Sequence, residues 1–173
     1  MKAAGCWNIF FGFETGDQQL LDNLEKGITL DDIRNSSRWC KDVGIEIRAS
    51  FMIALPGETP ELAEKTIKFA KGINPEYAQF CITTPYPGTK LFKEAEKRGS
   101  LSKDYSQYNI WEPVFIPFGY KDKREIEQME KRANFLFYCR PQSLINLIKK
   151  IRSLEDIKRY LKGFRVLLGF LKA

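Results

Sequence analysis

The chain has 173 residues, 43% hydrophobic and 29% charged, a balance that fits a globular domain with a real core and argues against global disorder. No apolar run approaches the roughly 20 residues of a membrane-spanning helix. The start, Met1-Lys2-Ala3-Ala4-Gly5-Cys6, lacks the apolar stretch of a signal peptide, so a cytoplasmic location is the expectation. The net charge of +6 is unevenly placed: residues 1–120 hold 14 Lys+Arg and 16 Asp+Glu, whereas residues 121–173 hold 14 and 6. The basic character therefore belongs to the last third, and composition places a boundary near residue 120. Cys6, Cys40, Cys81 and Cys139 are scattered, and the chain has no histidine. A zinc site is nearly excluded, and the thiols are expected to be reduced and mostly buried.

In chain order, Lys2-Ala3-Ala4-Gly5 reads as the last turn of a helix with its terminal glycine. Trp7–Glu14 is rich in aromatic and β-branched residues and ends at Thr15-Gly16, a strand followed by a turn. Two helical stretches follow, near Gln18–Glu25 and from about Leu30 to Val43, the second capped by Thr29 with Asp32 and stopped by Gly44. Ile45–Ala54 is a second strand that runs into Leu55-Pro56-Gly57-Glu58-Thr59 and a helix with Pro60 at its first position, ending near Lys71-Gly72. Tyr77–Thr84 is a third strand, leaving through Pro85-Tyr86-Pro87-Gly88-Thr89 into a helix over Lys90–Arg98.

Strands alternating with helices imply parallel pairing, and ligands of such folds gather at the carboxyl ends of the strands. Gly12–Gly16, Leu55–Thr59 and Pro85–Thr89 all fall at that end. Alternation along each strand sets an apolar face against a polar or small one: Gly12 with Glu14, then Glu46, Arg48, Ser50 and Met52, then Gln79, Cys81 and Thr83. The polar face is either solvated on an open sheet or the lining of a barrel lumen around a polar ligand. Three strands do not close a barrel. An N-terminal half is expected to be missing or supplied by another chain; the competing reading is a small, open three-layer protein.

Five motifs, Phe11–Gly16, Lys26–Thr29, Gly44–Glu46, Leu55–Thr59 and Thr84–Thr89, together with Tyr108-x-x-Trp111-x-Pro113 and Phe137–Pro141, resemble the radical S-adenosylmethionine (SAM) enzymes. The likeness is greatest to the subfamily with a cobalamin-binding domain, including enzymes similar to the anaerobic magnesium-protoporphyrin monomethyl ester cyclase and hopanoid-modifying proteins. The resemblance implies an α/β fold: half of a partial (β/α)6 TIM-like barrel over residues 1–100, a linker over 101–120 and a basic helical extension over 121–173.

It also implies SAM as cofactor, with a 4Fe-4S cluster and cobalamin in the full-length family, although their ligands are absent from this chain. Carried over by motif, Gly12, Glu14 and Thr15 bind the cofactor at the first rim segment. Pro56, Gly57 and Glu58 pass the adenine, Arg48 and Ser50 face the lumen and reach the SAM carboxylate or ribose as cofactor-binding residues, and Tyr86 is a substrate contact. An Arg48 ion pair with Glu46 or a neighbour is the structural alternative. No catalytic residue or metal ligand is assigned. The expected activity is that of an enzyme portion: 5′-deoxyadenosyl radical or cobalamin-dependent methyl-transfer chemistry on an organic substrate, inactive without the cluster-binding half.

The competing class is a non-catalytic half-barrel binding a protein or membrane surface. The tail favours that class or simple packing: residues 121–139 suggest a polar amphipathic helix, with further helices over 143–151 and 154–171. The last pairs an apolar stripe with Lys158, Arg159, Lys162 and Arg165, which suits either packing on the barrel or anionic lipid. The partner expectations are the missing barrel half, a small-molecule substrate of lipid or tetrapyrrole type, and membrane-surface contact. The charge pattern does not favour nucleic acid.

Overall fold

A computed structural model describes residues 1–109 and 112–143, together with Ile145 and Glu155. Trp111 and nearly all of the two expected C-terminal helices lie outside these residues. Three parallel βα units follow one another: β1 (Asn8–Glu14), α1 (Gln18–Asn23), α2 (Leu30–Asp42), β2 (Glu46–Ile53), α3 (Pro60–Ile73), β3 (Tyr77–Ile82) and α4 (Lys90–Arg98). The sheet order is β1-β2-β3, with Phe11 opposite Ala49, Phe51 opposite Phe80 and Gly12 opposite Ser50. This is an α/β fold of parallel strands covered by helices on one face, the arrangement of part of a barrel.

The alternation expected from sequence places Ile47, Ala49, Phe51 and Ile53 under the helices, each 1% exposed or less. Helix α3 meets them with Ala63, Ile67, Ala70 and Ile73, recurring at helical spacing. A row of rings crosses this face: Phe11 on Phe13 with centroids 5.1 Å apart, Phe13 to Phe51 at 6.1 Å, Phe51 to Phe80 at 5.4 Å, and Phe80 to Phe137 at 6.1 Å. The row ties all three strands to a further helix, α5 (Lys123–Tyr138).

Helix α5 therefore belongs to the core, with Ile126, Ala133 and Phe137 buried against the sheet. Its Tyr138 hydroxyl donates to the Ala78 carbonyl (2.6 Å) and accepts from the Ala78 N–H (3.2 Å), satisfying one edge peptide of β3. The expected linker over 101–120 is also structured. β4 (Gly99–Leu101) and β5 (Phe115–Pro117) pair antiparallel, and Val114, Phe115 and Tyr120 are buried. Strands of three residues are too short for alternation to announce them, and Phe115 is held by burial more than by local pattern. At the other end, Lys2–Ala4 is a single 3-10 turn closed by Gly5 at φ 90°.

Loop chemistry fixes the rim. Leu55–Glu58 is a Pro-Gly turn in which the Glu58 N–H donates to the Leu55 carbonyl (2.8 Å) and Gly57 takes φ 87°, a type II arrangement that favours glycine. Tyr86–Thr89 repeats the device, with the Thr89 N–H donating to the Tyr86 carbonyl (3.2 Å) and Gly88 at φ 84°. Thr59 and Thr89 then cap α3 and α4. No helix among the described residues is long and apolar enough to cross a membrane.

Phe51 is fully buried at the middle of the ring row, so Phe51→Ala is expected to cost about 3–5 kcal/mol, measured as a lowered urea midpoint. An unchanged midpoint would show that the row does not hold the sheet together.

Candidate functional site at the strand ends

On the face away from the helices, the strands present Gly12, Ser50, Met52, Gln79 and Cys81 side by side. The register of β1 shifts between Gly12 and Glu14, and Glu14 takes φ 64°, a left-handed conformation uncommon for glutamate. That shift brings the Glu14 carboxylate back over Gly12, on the polar face. A Cβ built on Gly12 would lie 2.6 Å from Glu14 Oε1. The glycine thus makes room for the Glu14 carboxylate itself, and any ligand would sit beyond it.

Glu14 Oε1 accepts a hydrogen bond from Lys26 Nζ at 2.9 Å. The pair is reachable, with side chains 17% and 35% exposed. Lys26 stands in the loop between α1 and α2, which Gln18 ties down: its amide donates to the Ile28 carbonyl (3.3 Å) and accepts from the Leu30 N–H (2.9 Å). Lys26 was visible in sequence only as part of a motif. Nothing in its spacing showed that it would meet a carboxylate twelve positions earlier.

The other expected residues divide by position. Thr15 is fully buried: its hydroxyl meets that of Thr66 at 3.0 Å, and the Thr66 hydroxyl also accepts from the Gly16 N–H at 3.0 Å. A Cβ on Gly16 would come within 2.5 Å of Phe69 Cβ, so Thr15-Gly16 locks the end of β1 onto α3. Arg48 is exposed, about 10 Å down the strands from the level of Glu14. Its guanidinium lies 6.0 Å from the Phe10 ring centroid and 5.9 Å from that of Tyr77, a cation–π setting. Ser50 is half-buried next to Gly12. Pro56 is buried, and Gly57 is exposed next to Arg98 of α4. Tyr86 stands 48% exposed at the third rim loop, its ring centroid 6.2 Å from that of Tyr108.

Glu58 turns inward. Its carboxylate is 0% exposed, accepting from the Ala54 N–H (2.6 Å) and from the Tyr120 hydroxyl (2.7 Å), while Oε2 has no partner. Ala54 takes φ 64°, so Glu58 pins a strained peptide at the end of β2. Its side chain is an internal peg, and only the backbone of that loop faces outward. Burial pushes the Glu58 carboxyl up to about 7 despite its hydrogen bonds, and burial together with the Glu58 charge holds the Tyr120 hydroxyl protonated.

The folded chain thus keeps a proton on Glu58 that the unfolded chain releases near 4.5. Between about pH 4.5 and 7 the contribution of this group to stability falls as pH rises, by about 3 kcal/mol in all, and it levels off above 7. Glu58→Gln is expected to abolish that slope and to be the more stable protein at pH 8, as read from urea midpoints across the range. Equal slopes in both proteins would mean that Glu58 is not the titrating group.

The four cysteines are free thiols on separate elements, and among the described residues no group of three or more His, Cys, Asp or Glu side chains could hold a metal. These residues do not fit an iron–sulfur cluster.

Residues 1–70 match the model of the Radical SAM superfamily. The chain is 35% identical over 164 residues to an uncharacterized methyltransferase of Pyrococcus horikoshii, covering 94% of this chain and 35% of that protein. It is 32% identical over 116 residues to the anaerobic magnesium-protoporphyrin IX monomethyl ester cyclase of Rubrivivax gelatinosus, covering 67% of this chain and 21% of the cyclase. The chain thus spans about a third or less of the length of these relatives. Among solved structures, coproporphyrinogen III oxidase from Escherichia coli, a radical SAM enzyme, aligns with TM-score 0.56 and 15% identity over 82% of this chain and 28% of that one. The radical S-adenosylmethionine methyltransferase TsrM from Kitasatospora setae, solved with cobalamin and a [4Fe-4S] cluster, aligns with TM-score 0.50 and 22% identity over 78% of this chain and 26% of that one. At these identities the two structures speak for the fold alone.

Proposed function

Residues 1–70 of the chain belong to the radical SAM superfamily, and from that premise we propose that the chain forms one wall of an S-adenosylmethionine site in a larger enzyme. That enzyme carries out 5′-deoxyadenosyl radical or cobalamin-dependent methyl-transfer chemistry on an organic substrate. The observation that carries this reading is the Glu14–Lys26 pair at the open rim. An amino acid end presents an ammonium and a carboxylate together. A fixed, partly exposed carboxylate and ammonium 2.9 Å apart offer the complementary charges, each able to exchange its internal partner for a ligand group.

SAM supplies the methyl group or the deoxyadenosyl radical; the chain's own residues bind and orient it. Gly12 and Ser50 leave the face beside Glu14 low, and the backbone of the Pro56-Gly57 turn and the exposed Tyr86 flank the rim. The cluster, and cobalamin where it is used, are held by residues outside this chain. The scattered thiols support this, as does the greater length of the relatives. The chain alone is therefore proposed to bind SAM weakly and to catalyse only when joined by a cluster-bearing segment.

A second reading, a non-catalytic module that binds another protein or a membrane surface, draws on one observation. Trp7 and Phe10, at the outer strand β1, are 66% and 57% exposed.

Calorimetric titration with SAM tests the first reading. Glu14→Gln is expected to weaken binding about tenfold or more, and Lys26→Ala comparably. Thr66→Val, which loosens the rim without touching the pair, is expected to lower stability more than affinity. Binding indifferent to both Glu14 and Lys26 would overturn the assignment.

A further inference from the structure

On the opposite side of the sheet, an open groove of about 630 Å³ lies between α2 and α3. Arg34, Arg38 and Lys41 recur along one face of α2 and confront Lys65 and Lys68 of α3. Two like-charged stripes facing each other across a gap repel, and Asp42 is the one acidic lining residue. Part of the charge is spoken for within the chain: Lys65 pairs with Asp17 at 2.5 Å, Arg34 with Asp31 at 2.6 Å, and Lys41 donates to the Ile73 carbonyl. Arg38, whose guanidinium donates to Asn35 Oδ1 (3.1 Å), and Lys68 stand on opposite walls without a salt bridge among the described residues.

The floor between them is apolar. Leu30, Phe69 and Ile73 line it, with the Arg34 guanidinium 5.1 Å from the Phe69 ring centroid. Two further observations are left over by the fold. Gly72 stands in the last turn of α3, and a Cβ there would meet nothing within 4 Å. Packing does not require that glycine, and it leaves the groove wall bare. Ser37, 2% exposed in the α2 wall, has a hydroxyl with no partner in the protein. The chain's own tail does not match the charge: residues 144–173 carry eight Lys or Arg against two acidic residues.

We propose that this groove binds an amphiphilic phosphate, its anionic group between Arg38 and Lys68 and its apolar body along Phe69 and the bare backbone of Gly72. The guanidinium and ammonium suit phosphate oxygens, and the volume lies in the range of small-ligand sites, roughly 300–1,000 Å³. The phosphate comes either from a soluble ester or from a lipid headgroup. The site lies behind the sheet from Glu14 and does not depend on the SAM reading.

Calorimetry on the full chain with dodecyl phosphate below its micelle concentration tests the proposal, with inorganic phosphate and dodecyltrimethylammonium as comparisons. Lys68→Glu and Gly72→Leu, both at exposed helical positions, are each expected to weaken dodecyl phosphate binding about tenfold or more while leaving the thermal midpoint within a few degrees. Inorganic phosphate is expected to bind far more weakly, and the cationic detergent not at all. Unchanged affinity in both variants, or equal binding of the cationic detergent or of inorganic phosphate, would overturn the proposal. Sedimentation with phosphatidylglycerol vesicles that Lys68→Glu abolishes identifies a lipid headgroup as the source; dodecyl phosphate binding without vesicle binding identifies a soluble ester.

Discussion

The row of aromatic rings from Phe11 to Phe137 is the contact on which the rest of the molecule depends. Each strand contributes a ring to the same face, so the three strands share one register, and the helical layer is anchored to them through Phe80 and Phe137. Parallel strands normally bury both faces. Here the apolar capital is concentrated on one side, and the other is free to carry Gly12, Ser50, Gln79 and Cys81. The sheet thus sets a polar face with Gly12 and Ser50 against a closely packed apolar one.

The ends of the strands are held under strain that the packing behind them sustains. Glu14 and Ala54 both adopt left-handed backbone conformations at φ 64°. Glu14 is restrained by Lys26 on one side and by the Thr15–Thr66 lock on the other. Ala54 is restrained by a buried carboxylate that also receives Tyr120. The two devices differ in accessibility: the first is open and exchangeable, the second sealed. This difference separates an accessible carboxylate from a sealed one, although both glutamates belong to rim motifs of the sequence.

Much of the scaffold was legible in the sequence because it rests on local rules. The period-two alternation of Ile45–Ile53, the Thr29 and Thr59 caps and the Pro-Gly turns each announce themselves within a few residues. What escaped were pairings of distant residues that no local rule encodes. Lys26 on Glu14, Thr66 on Thr15 and Tyr120 on Glu58 are separated by 12, 51 and 62 positions. Thr15 and Glu58 carry polar side chains in rim motifs, and sequence alone could not show that both point into protein. Arg48 alternates onto the polar face as expected but lies low on it, between two rings. The β4–β5 ribbon was missed for a different reason: its strands are too short for a period to register.

The Tyr138 hydroxyl, which satisfies both polar groups of Ala78, gives the sheet a direction. One hydroxyl does there the work of a neighbouring strand, so β3 offers a stopped border with α5 beside it. On the outer border of β1 the Asn8 carbonyl accepts from the Cys6 thiol at 3.5 Å. The β1 border, marked by the exposed Trp7 and Phe10, stays open on the strand that carries Glu14.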